Sequence, residues 1–319
     1  MSAYNINGNN YFKLRDILSI FDIYVSWDSI QEVVYIDSGV QKEVKVKTAA
    51  EFIQALASNT RILVAPGVYD FTDLTADSTL GCKIENVNNL SIIGAGTDKT
   101  GFINADRFKQ ILTFENCRNI SISGIKAGHS PQEYECDAGV FYFENCLDVG
   151  VGDCYLYGCG SIGIYIVNSE NISVDNTVIT DCSLRAVHID DSTNVVFNKC
   201  RLTENRAYAA AVFLISYSRS CSAIFNQCEI SDNQSIEWEL INTWNISSNS
   251  IISLTFNDCI ISNNKGMPGE PTYLFKIAEK SVVLNSCTIE NNTFRYECYG
   301  YPPKYSNCTF SGNEYIPEP

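Results

Sequence analysis

Nine short segments of this 319-residue chain repeat one pattern: an apolar residue, a polar pair, then a small buried-type residue followed two positions later by another apolar one. The clearest copies are Val196-Phe197-Asn198-Lys199-Cys200-Arg201-Leu202, Ile224-Phe225-Asn226-Gln227-Cys228-Glu229-Ile230 and Val283-Leu284-Asn285-Ser286-Cys287-Thr288-Ile289. Marked at the Cys position, the series runs Ala95, Ile125, Cys154, Thr177, Cys200, Cys228, Cys259, Cys287 and Cys308, in steps of 21 to 31 residues. Recurrence at that length, with one supersecondary unit per repeat, implies stacked coils that bury a core only by lying on one another.

Each repeat alternates with period two and is rich in Val, Ile, Phe and Thr, which suits strands and leaves no 3.6-residue stripe for a helix. A second strand lies about half a coil away, in Leu112–Cys117, Phe141–Cys146, Ile164–Ser169 and Val187–Ser192. Two or more strands per coil make a parallel β-helix. Asn205, Asn233, Asn264, Asn292 and Asn313 recur where strands turn, each three residues after an inward apolar position. Asn tolerates left-handed backbone angles and can bond to its copy in the next coil, so the sequence predicts left-handed, laddered asparagines at that bend.

From residue 44 to about 314 the chain resembles the right-handed parallel β-helix proteins of the pectin-lyase-like superfamily, and it shares with one bacterial group the segments Ala127–Pro131, Cys136–Val140 and Cys154–Gly160. The expected fold class is all-β: a single-stranded right-handed solenoid over residues 40–319, with coils from about 62 to 314. Thr48 as N-cap and Glu51 in the first turn predict a helix over 48–57, which the resemblance reads as the cap on the open end of the core. Residues 1–39 read as a separate small α+β module of hairpin, short helix and hairpin, and resemble the stalk domain named after the N-terminal region of copper amine oxidases. The stretch has no His, so that name implies no copper; it implies display or attachment, and the equal alternative is a simple folding cap on the β-helix.

Formal charge is −15, from 22 Lys and Arg against 37 Asp and Glu, without a basic cluster. That disfavours nucleic acid and anionic membrane surfaces, both of which require positive charge. No run of 18 apolar residues exists, and Met1-Ser2-Ala3-Tyr4 lacks the regions of a signal peptide. The stalk resemblance still implies a secreted or cell-surface protein, its signal missing from this chain. Most of the 14 cysteines share repeat positions with Ala, Ser and Thr, which points to small inward residues rather than disulfides or zinc; Cys221 and Cys298 read as lying off the ladders.

Because the inside of a β-helix is filled, chemistry belongs on the outside of its strands. Aligning the second strand by its terminal Cys or Ser gives an outward row of Thr113, Tyr142, Tyr165 and His188, continued by Phe213, and a second of Glu115, Glu144, Val167 and Asp190. Aromatic faces beside carboxylates suit a sugar chain, rings under pyranose faces and carboxylates on hydroxyls. The loop His129–Asp137 enters just before the Tyr142 strand, and an insertion on one face of a repeat array commonly marks the binding face.

The reading is therefore a polysaccharide, uronate-bearing chains included, bound along this exposed face by Tyr142, Tyr165, Phe213 and His129. A second reading makes the same face a lyase or glycoside hydrolase site using His188, Asp190, Glu144 and Arg185. Glu144 and Asp190 are two coils apart, roughly 9.6 Å between backbones from strand spacing, near the separation of an inverting carboxylate pair. For a lyase, Arg185 or His188 is the candidate base, and Glu133, Glu135 and Asp137 are a candidate calcium set of hard oxygen ligands. Arg185 is also placed to pair with Asp190, or with a sugar carboxylate in a bidentate fork. The familiar polygalacturonase and pectate-lyase motifs are absent from the sequence. A third reading is a spacer or adhesin whose row meets a protein partner, and a bland alternative for every aromatic in the row is packing.

Overall fold

The computed structural model describes residues 3–6, 9–12, 24–28, 33–37, 39, 41–74, 80–130, 137–158, 161–247 and 249–316. Ahead of the solenoid two antiparallel hairpins are described, Ala3–Ile6 with Asn9–Phe12 and Tyr24–Asp28 with Val33–Asp37. The short helix expected between them falls outside the described residues.

From Lys42 on, among the described residues, the chain winds through three long parallel sheets, one strand of each per coil. The first has 11 strands, from Lys42–Val46 to Lys304–Ser306; the second has 10, from Gly67–Asp70 to Thr309–Ser311; the third has 12, its main path running from Cys82–Glu85 to Glu314–Tyr315. Alternation sends every second side chain inward, and like stacks on like. Phe197, Phe225 and Phe256 lie ring on ring, with centroids 4.5 and 5.1 Å apart. Phe114, Phe143, Ile166 and Ile189 are fully buried, as the alternation requires. Thr48 caps the helix Ala49–Ala55 by accepting the Glu51 N–H, and the helix buries Phe52 against Phe71 and Phe102.

The corners hold the coils in register, and two expectations about them need correction. The laddered asparagines are there: Asn233 Nδ2 donates to Asn264 Oδ1 at 2.9 Å and to the Leu202 carbonyl, and Asn264 repeats this towards Asn292 and Ile230. They are not the left-handed residues, however. Positive φ falls on the residue before each of them in four coils, Glu204, Asp232, Asn263 and Asn291, and on Gly312 before Asn313. The ladder asparagine must turn its amide inward, so its predecessor makes the bend.

The cysteines, likewise, are more than small hydrophobes. Cys228 Sγ donates to the Asn226 carbonyl at 3.4 Å and accepts the Cys200 N–H at 3.4 Å. Thr177 makes the same pair of contacts, its hydroxyl donating to Asp175 O and accepting from Cys154 N. A small side chain that both donates and accepts is what the corner selects, which is why Cys, Ser and Thr alternate there. Cys221 makes the bond of its ladder neighbours as well, to Ile189 O at 3.6 Å, although it sits one residue late in the turn.

Candidate functional site

The third sheet carries the predicted rows in the predicted register. Thr113 pairs with Tyr142, Tyr142 with Tyr165, Tyr165 with His188 and His188 with Phe213. Glu115, Glu144, Val167 and Asp190 align beside them. Parallel in-register pairing puts successive rings about 4.8 Å apart, close enough for continuous contact.

Tyr142 meets Tyr165 edge to face at 5.1 Å, Tyr165 stacks on His188 at 4.4 Å and 8° from parallel, and His188 meets Phe213 edge to face at 4.9 Å. Arg185 lies over the Phe213 ring, with its guanidinium carbon 3.9 Å from the centroid. Polar groups interlock with the rings. The Tyr165 hydroxyl donates to Asp190 Oδ2 at 2.7 Å, the Tyr142 hydroxyl to Glu144 Oε2 at 3.0 Å, and Arg185 Nη1 to His188 Nδ1 at 3.0 Å. Because guanidinium can only donate, Nδ1 is the accepting nitrogen and the proton sits on Nε2. That nitrogen faces Asp190 Oδ1 at 2.7 Å, at an angle too oblique for a hydrogen bond. Arg185 thus reaches His188 rather than the Asp190 carboxylate, correcting the expected pair.

Burial sets the electrostatics. It pushes His188 below the usual imidazole range; Asp190 pulls it back up and Arg185 adds to the depression, so the ring is neutral at pH 7. Burial, then the Asp190 carboxylate, raises the Tyr165 phenol well above its ordinary range, and burial with Glu144 does the same for Tyr142. With Nδ1 engaged by Arg185, His188 has no free base nitrogen, which counts against the base role read for it.

The face is less open than expected. His188, Phe213 and Asp190 are 6, 5 and 4% exposed, Thr113 is fully buried, and Tyr142 and Tyr165 are half-buried. Asp191 takes no part in the row: it accepts the backbone N–H groups of Tyr217, Ser218 and Arg219 and so pins that turn beside the site.

Two candidate sets are not brought to the row. His129 lies in the second sheet, 2% exposed, with Nε2 against the Lys109 carbonyl at 2.7 Å, where it anchors the neighbouring loop instead of facing a ligand. Of the calcium set, Glu133 and Glu135 fall outside the described residues, and Asp137 is exposed with its N–H on the Arg107 carbonyl. Among the described residues no group of three His, Cys, Asp or Glu side chains is arranged to hold a metal.

The row legible in the sequence ends at Phe213, but the sheet continues. The same row runs on through Asn242, Lys276 and Tyr299, and the second through Ile215 to Trp244. Strands Arg206–Ser216 and Gln234–Asn245 carry register shifts where they pair, and these break the alternation that would reveal the continuation.

Three parallel sheets with one strand of each per coil are the architecture of a known family, and the sequence profile described as right handed beta helix region matches residues 77–294. The chain belongs to the right-handed β-helix family. A polygalacturonase from Erwinia carotovora ssp. carotovora superposes with a TM-score of 0.56 at 9% identity, over 86% of this chain and 93% of that one. ORF18 of Geobacillus virus E2 superposes with a TM-score of 0.50 at 13% identity, over 86% of this chain; this chain spans 62% of that protein. No curated protein matches the sequence. Likeness at this identity establishes the β-helix and leaves its chemistry to the side chains.

Proposed function

We propose that this β-helix binds a polysaccharide along the outer face of its third sheet. The observation that carries the reading is the unbroken contact chain Tyr142, Tyr165, His188 and Phe213, flanked by Glu144 and Asp190. Tyr142 and Tyr165, half-buried, are the rings that a sugar chain can reach, with the half-buried Glu144 carboxylate to accept from its hydroxyls, while the buried His188, Phe213 and Asp190 hold that surface in place. The rings are locked by their own hydrogen bonds, so little order has to be imposed on binding. A protein-binding spacer has no need of carboxylates fixed by Tyr hydroxyls two residues away from the rings.

One observation favours a second reading, turnover at the same face. Glu144 and Asp190 sit in register two coils apart with Val167 between them, and two strand spacings give roughly 9.6 Å between backbones, at the long edge of an inverting pair.

The experiment is a polysaccharide screen with the purified protein, with and without calcium, that records bound glycan, new reducing ends and the ultraviolet absorbance of unsaturated uronate product together. Binding that Tyr165→Ala abolishes, without turnover, supports the recognition reading. Turnover that Asp190→Asn abolishes supports the enzyme. Neither binding nor turnover across the panel rejects both.

A further inference from the structure

Beyond Phe213 the third sheet changes character. Its earlier coils present Glu85, Glu115 and Glu144 in one row, whereas the later ones present aromatics: Trp244 is 51% exposed, Tyr299 58% and Tyr296 37%, and Tyr273 stacks on Tyr296 at 5.2 Å. Between them lies a recess of about 170 Å³ lined by Asn242, Trp244, Lys276 and Tyr299, together with the strand backbone around Thr243 and Ile277.

One residue that lines the recess, Asn242, carries an unmet hydrogen-bonding group. Asn242 is 2% exposed, and its Nδ2 donates to the carboxylate of Glu239, which fixes the amide orientation. Its Oδ1 is then left buried with no partner. A buried carbonyl oxygen without a donor is unfavourable, so a donor arriving from outside would restore it. The charge nearby is already balanced, because Lys276 Nζ stands 3.6 Å from the buried Glu239 carboxylate. The site therefore offers an acceptor and flat apolar walls but no net charge to attract an anion.

We infer that this recess is a second glycan subsite, distinct from the Tyr165 row, that takes an uncharged pyranose ring with one hydroxyl donating to Asn242 Oδ1 and a ring face against Trp244 or Tyr299. This rests on the proposed reading that a sugar chain lies along the third sheet, and deepens it. The recess is continuous in register with His188 through Phe213, so one chain can occupy both places. It is also too small for a drug-sized ligand, whose pockets run from about 300 Å³, and suits a single ring.

The test is calorimetric titration of the full chain with neutral β-1,4- and α-1,4-linked glucan hexasaccharides and with a galacturonate hexasaccharide, using wild type, Trp244→Ala, Asn242→Ala and Tyr165→Ala. The expected result is that one neutral hexasaccharide binds at least as well as the galacturonate, and that Trp244→Ala weakens it about tenfold, equivalent to about 1.4 kcal/mol. Trp244 is exposed, so that variant keeps the fold even if Asn242→Ala does not. If Trp244→Ala binds like wild type while Tyr165→Ala does not bind, the subsite is refuted and the proposed function stands. Preference for the galacturonate refutes the uncharged assignment. No binding of any hexasaccharide by wild type rejects the subsite and the reading beneath it together.

Discussion

Tyr165 and His188 lie face to face one coil apart, with ring centroids 4.4 Å apart and planes 8° from parallel, and both reach Asp190: Tyr165 through its hydroxyl to Oδ2 and His188 with Nε2 beside Oδ1. The carboxylate thus fixes the Tyr165 ring by a hydrogen bond and lies against the His188 ring. Stacking at this separation follows from parallel in-register strands, so the sheet, rather than any loop, sets the geometry of the site.

That arrangement separates the role of the ring from that of the hydroxyl. Tyr165→Phe keeps the stack and loses only the bond to Asp190, whereas Tyr165→Ala loses both. If sugars rest on the ring, Phe retains glycan affinity to within a few-fold and Ala loses at least about tenfold, the usual size of a central aromatic contact. Equal losses in both variants, measured by titration, would move the binding role from the ring to the Asp190 contact.

Arg185 bonds Nδ1 of His188, and its charge helps hold the imidazole below its ordinary range, after burial itself. Replacing it with Gln removes a positive neighbour, so the His188 pKa should rise, because the imidazolium no longer faces a like charge. Nitrogen-detected NMR titration of the two histidines reads this directly: His188 moves up in Arg185→Gln and His129, in another sheet, does not. In wild type the same spectra should show the proton on Nε2. A His188 resonance typical of the other tautomer would contradict the Arg185 contact.

The corner ladders make a stability prediction. Cys259 Sγ donates to Phe225 O and accepts from Cys228 N, as a hydroxyl does at Thr177. Cys259→Ser should therefore cost less than Cys259→Ala, which strands a buried N–H at about 1–3 kcal/mol. Asn264→Ala should cost more than either, about 3 kcal/mol or above, since it removes the acceptor for two Asn233 donors and the donor to Ile230 O. Denaturant midpoints in the order wild type, Ser, Ala at 259, Ala at 264 check this; Ser falling below Ala at 259 would show that the thiol acts as a hydrophobe alone.

Period-two alternation and the recurring small residue place the strands, the inward phenylalanines and the outward Tyr142, Tyr165, His188 row, because in a parallel stack register is fixed by which residues must face inward. What the sequence hides is of two kinds. Burial of outward residues such as Thr113 and His188 depends on neighbours from other coils and leaves no periodic trace. The continuation to Asn242, Lys276 and Trp244 is masked by register shifts in the Ala207–Val212 stretch, where alternation fails locally. The left-handed corner residues fall one position away from the expected asparagines because two polar residues stand in a row there, as at Glu204 and Asn205, and only the inward ladder bond tells which one bends.

The two histidines give the fold a pH dependence whose sign is determined. Burial lowers both His129 and His188 below their unfolded value of about 6.5. Above that pH neither state binds the protons and stability is at its full value. As pH falls below about 6.5 the unfolded chain takes up two protons that the folded one resists, so stability drops at up to about 2.7 kcal/mol per pH unit. Glu239 opposes this near the lower end of the window, because burial raises its carboxyl and the folded state gains a proton first. Asp191 acts separately: burial pushes it up, but the N–H groups of Arg219, Ser218 and Tyr217 outweigh that and leave it lowered, so its contribution is present above about 3.8 and lost below. Unfolding free energies measured from pH 7.5 to 4.5 should fall, and the fall should be about halved in His129→Gln or His188→Gln and steepened in Glu239→Gln. A flat profile in wild type would mean that the imidazoles are not buried as neutral rings.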